Sequence, residues 1–114
     1  MGAYIGIGYS ENSTKNLSVS LNRSASGALE VLFDKALQAR YPQIYETIME
    51  VFVLDQMNFY DLEKKDFNIA IKAIRNYLRD MKNPTEAQLF QKFIWQSEIE
   101  PLIQQDKRYE DPNK

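Results

Sequence analysis

Leu17-Ser18-Val19-Ser20-Leu21 alternates apolar and polar side chains, and a few residues later the period changes: Leu29, Leu32, Phe33, Ala36 and Leu37 recur at helical spacing. Alternation at period two marks a strand with one buried face, and recurrence at i, i+3, i+4, i+7 and i+8 marks one face of a helix. The switch falls near Ser24 and Ser26, both suited to capping a helix N-terminus. Strands are therefore expected before this point and helices after it.

Upstream, Ala3-Tyr4-Ile5-Gly6-Ile7-Gly8-Tyr9 places glycines between Ile5, Ile7 and Tyr9, and Ser10 to Asn16 is a polar, turn-forming stretch. A short hairpin or a pair of strands is predicted, with the glycines weakening the first strand or marking a bulge. Gly6 and Gly8 do not make a dinucleotide fingerprint, because position 11 is Glu11 and no helix opens there.

Downstream, the first helix ends before Pro42, since the residue preceding proline avoids the helical region. A second helix is predicted from Gln43 to Asp55. Ile44, Ile48, Val51 and Phe52 line one face, and Tyr45, Met49, Val53 and Leu54 widen it as if the helix were central. A third runs from Leu62 to Met81 on Phe67, Ala70, Ile71, Ile74, Leu78 and Met81, and Asn83-Pro84 stops it. The fourth opens on Thr85-Glu86-Ala87-Gln88, a capping box, and is expected to bury Leu89, Phe90, Phe93 and Ile94. Pro101 interrupts that pattern. Trp95 lies off the stripe and either packs against Ile99 and Leu102 or stands out as an anchor, with core the preferred reading. The fold class is mainly α (α+β), a four-helix core with a short N-terminal β-hairpin or pair of strands. One domain is expected over 1–114: a β region at 1–23, a helical core at 24–105 and a polar, frayed tail at 106–114.

Composition narrows the chemistry. The 114 residues include no cysteine and no histidine, with a net charge of −2. Disulfides, thiolate nucleophiles and serine–histidine catalysis are absent, and a structural zinc site loses its usual ligands. The opening Met1-Gly2-Ala3-Tyr4-Ile5-Gly6 has neither a secretory nor a myristoylation pattern, and the longest apolar run is Val51 to Leu54. The chain reads as a cytoplasmic, non-enzymatic binding protein with no cofactor, no metal and no membrane partner.

Charge is segregated along the chain. Between Arg40 and Lys64 there is no basic residue, yet Glu46, Glu50, Asp55, Asp61 and Glu63 fall there beside Tyr41, Tyr45, Phe59 and Tyr60. Aromatics beside carboxylates suit a surface that docks a basic protein. Glu46 and Glu50, four apart, also have the spacing of paired catalytic carboxylates or Mg²⁺ ligands, with Asp55 and Asp61 as further members, but a solvated acidic face is the commoner outcome. Residues 64–82 carry six basic and two acidic side chains, and Lys65, Lys72, Arg75, Arg79 and Lys82 descend one helix face. Such a stripe binds phosphates or pairs with neighbouring acids. A small helical nucleic-acid-binding regulator is the alternative function; nucleic acid is the less favoured partner.

The stretch Tyr41 to Tyr109 also carries a resemblance. Its features are Phe52-Val53-Leu54-Asp55-Gln56, Asp66-Phe67-Asn68, Ala73-Ile74-Arg75-Asn76-Tyr77, Asn83-Pro84-Thr85, Trp95-Gln96 with Glu98 and Glu100-Pro101-Leu102-Ile103, and Asp106 with Arg108-Tyr109. Together they resemble immunity proteins of bacterial contact-dependent growth inhibition systems. The resemblance implies a non-catalytic protein that binds and neutralises the C-terminal domain of a cognate toxin, often a basic nuclease, by covering its active site or substrate surface. It carries over no site residues. The toxin-binding residues inferred from charge and aromatic clustering are Tyr45, Glu46, Glu50, Asp55, Phe59, Tyr60, Asp61 and Glu63, with Glu98, Glu100 and Asp106 as a secondary surface.

Overall fold

The computed structural model describes residues 2–12 and 15–112, so Ser13 and Thr14 of the polar turn, and the last two residues of the tail, lie outside the described residues. The fold is α+β. Strands β1 (Ala3–Tyr9) and β2 (Asn16–Leu21) pair antiparallel, with Ile5 opposite Val19. The register shifts between Gly6 and Gly8, so the glycines mark a bulge, as their placement suggested. The Ser10 amide donates to the Lys15 carbonyl at 3.0 Å across the mouth of the turn.

Helix α1 (Arg23–Leu37) follows directly. Its cap is Asn22 rather than Ser24 or Ser26: the Asn22 side chain accepts from the Ala25 amide at 2.8 Å. Ser26 lies inside the helix and donates its hydroxyl back to the Arg23 carbonyl. Leu29, Leu32, Phe33 and Leu37 are fully buried, and α1 packs against α2 (Pro42–Met49), α3 (Lys64–Arg79) and α4 (Glu86–Ile94). The central helix is thus α1, not the second helix.

Helix α2 is much shorter than predicted. It ends at Met49, and Phe52–Leu54 form a single 3₁₀ turn closed by Asp55 in the left-handed conformation, φ 58°. Asp tolerates that region because its short side chain can satisfy nearby backbone. The reversal sends Gln56–Asn58 alongside β1 as a parallel strand, β3, giving the sheet order β2-β1-β3. Val53 and Leu54, expected in the core, are instead 87% and 66% exposed.

The Thr85 capping box forms as read: the Thr85 hydroxyl accepts from the Gln88 amide at 3.1 Å, and the Gln88 side chain accepts from the Thr85 amide at 2.9 Å. The buried face of α4 differs, however. Ile94 and Gln91 turn inward while Leu89, Phe90 and Phe93 face solvent. Just beyond, Trp95–Ile99 winds as a π-helical turn before α5 (Glu100–Ile103). Burying Trp95, Ile99 and Ile103 with Ile94 and Gln91 sets which face of α4 turns inward, and at helical spacing Leu89, Phe90 and Phe93 then fall on the opposite side. Trp95 packs edge-on to Phe33, which meets Phe59 edge-on, and Phe59 meets Phe67 in turn.

The tail is not frayed through Tyr109. Arg108 lies over the Phe67 ring at 4.1 Å and donates to three carbonyls far apart in sequence: Ile7 at 2.7 Å, Phe59 at 2.8 Å and Leu62 at 2.6 Å. Its remaining N–H groups meet both oxygens of the fully buried Asp106 carboxylate. A Cβ on Gly8 would overlap Asp106 and Arg108, so the glycine makes room for this clasp. Asn68 fastens the segment further, donating to the Arg108 carbonyl and accepting from the Glu110 amide.

Candidate functional site

The short α2, its reversal and β3 organise the acidic segment. Helix α2 packs against β3, which is an outer strand of the sheet. Glu46 and Glu50 sit one turn apart at the end of α2, Asp55 enters β3, and Asp61 and Glu63 leave it towards α3. All five are exposed, and among the described residues none forms an ion pair. Between Glu50 and Asp55 the chain presents Val53 and Leu54 to solvent. An exposed apolar pair flanked by unpaired carboxylates supplies both desolvation energy and a field that attracts cations.

Tyr45, half-buried on α2, connects this surface to α1. Its hydroxyl is pushed up from its ordinary pKa by burial and by the negative charges of Asp34 and Glu30. These two acids extend the negative surface, and their spacing of four on a helix was the signal for them in the sequence.

The open face of the sheet adjoins it. Side chains of Ala3, Ile5 and Ile7 enter the core, so Tyr4 projects to the other side. Tyr60, just after β3, lies back over Gly6, where a Cβ would come within 2.6 Å of its ring. The Tyr60 hydroxyl meets that of Tyr4 at 3.0 Å and donates to the Asn16 side chain at 3.0 Å, and the Tyr60 ring stacks on Tyr9 at 5.7 Å. Burial, reinforced by the Tyr4 hydroxyl, pushes Tyr60 up to about 12. Tyr60 therefore stays neutral at physiological pH, and the cluster presents aromatic rings with polar tips, the type of surface enriched at interface hot spots.

Several residues inferred for the interface lie elsewhere. Phe59 is fully buried in the aromatic core, so it supports the surface without touching a partner. Asp106 is clasped by Arg108. Glu100 accepts two bonds from Arg75, at 2.8 and 2.6 Å, and one from the Trp95 indole at 2.6 Å. Burial raises its carboxyl, but Arg75 and Trp95 outweigh that and hold it below the ordinary glutamate range. Of the secondary surface only Glu98 is exposed.

The basic stripe is likewise partly spent. Arg75 is held by Glu100 and Tyr109, and Arg79 pairs with Asp80. Lys72 lies instead in a groove of about 770 Å³ with Lys35, Arg40, Tyr41 and Tyr77, between α1 and α3. No group of three or more carboxylates among the described residues comes together in a way that could hold a metal ion. Nor is any helix among them long and apolar enough to cross a membrane. The chain matches no described protein family, no curated protein and no solved structure.

Proposed function

We propose that this chain is a non-catalytic inhibitor of the immunity-protein kind, which binds the basic C-terminal domain of a cognate toxin through the surface built by α2, the 3₁₀ turn, β3 and the open sheet face. One observation carries the reading. The acids of residues 46–63 are exposed and, among the described residues, form no ion pair, whereas Glu100 and Asp106 in the same chain are paired with arginines. Holding five like charges in one segment opposes folding by self-repulsion, and a basic partner would convert that cost into binding energy. Tyr60, Tyr4, Val53 and Leu54 would supply the desolvated centre, and the carboxylates would occupy positions where a nuclease holds phosphates. The resemblance of residues 41–109 to immunity proteins supports the same reading.

The expected partner is the C-terminal domain of a large exported protein encoded immediately upstream. Its association with this chain should be measured at rising salt. The account expects an association rate that falls steeply as ionic strength increases, because exposed carboxylates steer the encounter. A rate indifferent to salt would contradict the electrostatic part of the reading.

A further inference from the structure

Strand β2 is the free edge of the sheet opposite β3. Its inner side pairs with β1; on its outer side no backbone group of residues 17–21 bonds to another element among the described residues. Antiparallel pairing alternates, so every second residue of β2 turns its N–H and C=O outward. Natural edges are normally blunted by lysine, proline, a bulge or an inward charge. Leu17 to Leu21 has none of these, and the bulge of the hairpin falls on β1.

The strand is also its own complement. Leu17-Ser18-Val19-Ser20-Leu21 reads the same in both directions about Val19. Set antiparallel on a two-fold axis through Val19, two copies place Leu17 opposite the partner's Leu21, Ser18 opposite the partner's Ser20, and the two valines together. Residues directly opposite share a face. The Leu17, Val19 and Leu21 side, which packs on the core, therefore continues across the junction, and the serine side continues on the open face. A slip by one residue would set serine against leucine and valine, and a slip by two would keep the faces but leave two of the five residues unpaired, so this register pairs the most residues with both faces consistent. The absence of charge means that no like-charged pair opposes it.

We propose that β2 is a self-association edge, at which a second copy of this chain adds its β2 antiparallel through Val19 to give a six-stranded sheet ordered β3-β1-β2-β2-β1-β3. The contact is isologous and closes at two subunits. One strand pair is small against a standard interface, so the dimer forms with rising concentration rather than obligatorily. It leaves both β3 edges, and the acids beside them, free at the two ends of the sheet, and it stands independently of the proposed function.

The test is sedimentation velocity of the full chain from micromolar to millimolar concentration, with two double variants on the open face. Ser18→Lys with Ser20→Lys sets like charges opposite each other twice across the axis and should weaken association by roughly tenfold or more. Ser18→Lys with Ser20→Glu sets opposite charges there and should preserve or strengthen it. Hydrogen exchange on the unmodified chain gives a second readout: amides within residues 17–21 should gain protection as concentration rises. A chain that stays monomeric throughout, variants that associate equally, or a dimer that leaves β2 exchange unchanged would each overturn the proposal.

Discussion

The segment 46–63 and the segment 100–110 both carry acids and aromatics, and the fold uses them in opposite ways. In the later segment the acids are matched: Glu100 to Arg75 and Trp95, Asp106 to Arg108, and the exposed Glu110 to Lys64. In the earlier segment Glu46, Glu50, Asp55, Asp61 and Glu63 stay exposed, and none forms an ion pair among the described residues. A buried carboxylate has to be paired because desolvation penalises the charged form heavily, whereas an exposed one costs little and keeps its field available to another molecule. The same residue types thus serve folding in one region and are available for recognition in the other, and the arginines decide which.

That contrast breaks most sharply at Arg108. Arg108→Ala leaves the Asp106 carboxylate buried without its cation and three carbonyls without a donor, a loss of about 3–5 kcal/mol. Chemical denaturation should register it as a large fall in midpoint. A smaller effect is expected at Glu100→Gln, on the order of 1.5–3 kcal/mol for loss of charged hydrogen bonds. Because the folded Glu100 carboxyl titrates below its ordinary value of 4.5, its stabilisation is complete above that value and is lost as pH falls through the lower folded value. Thermal unfolding followed from pH 7 downward should show this loss in the unmodified chain and a shallower one in Glu100→Gln. Smaller still, Tyr60→Phe removes hydroxyl bonds to Tyr4 and Asn16 at a half-exposed site, worth about 0.5–1.5 kcal/mol, measurable by the same denaturation.

The two regions also differ in how much of them the sequence disclosed. The hairpin, α1, α3 and the Thr85 capping box follow from local periodicity and local side-chain bonds, and they stand close to where those signals put them. Strand β3 is three residues long and exists only because it pairs in parallel with β1, some fifty positions earlier; no local pattern encodes that. The outward turn of Phe93 follows from the burial of Gln91, Ile94 and Trp95, a tertiary choice between two faces of one helix that local periodicity does not make. The Arg108 clasp was invisible for the same reason, since its acceptors Ile7, Phe59 and Leu62 converge only in the folded chain. For the candidate surface, the run of acids without bases was legible as composition. That Phe59 supports it from inside, and that Val53, Leu54 and Tyr4 join it, required the left-handed reversal at Asp55.

The central claim is that residues 46–63 hold their charge for a partner and not for the fold. Glu46→Lys, Glu50→Lys, Asp55→Lys and Asp61→Lys combined in one chain test it directly, with thermal unfolding and association with the upstream-encoded C-terminal domain measured on the same protein. The account expects the single reversals at Glu46, Glu50 and Asp61 to shift stability by no more than about 0.5 kcal/mol, Asp55→Lys to cost more because lysine lacks the short side chain suited to the left-handed backbone there, and the combined variant to stay folded while association is lost. Association undiminished in a folded quadruple variant would contradict it.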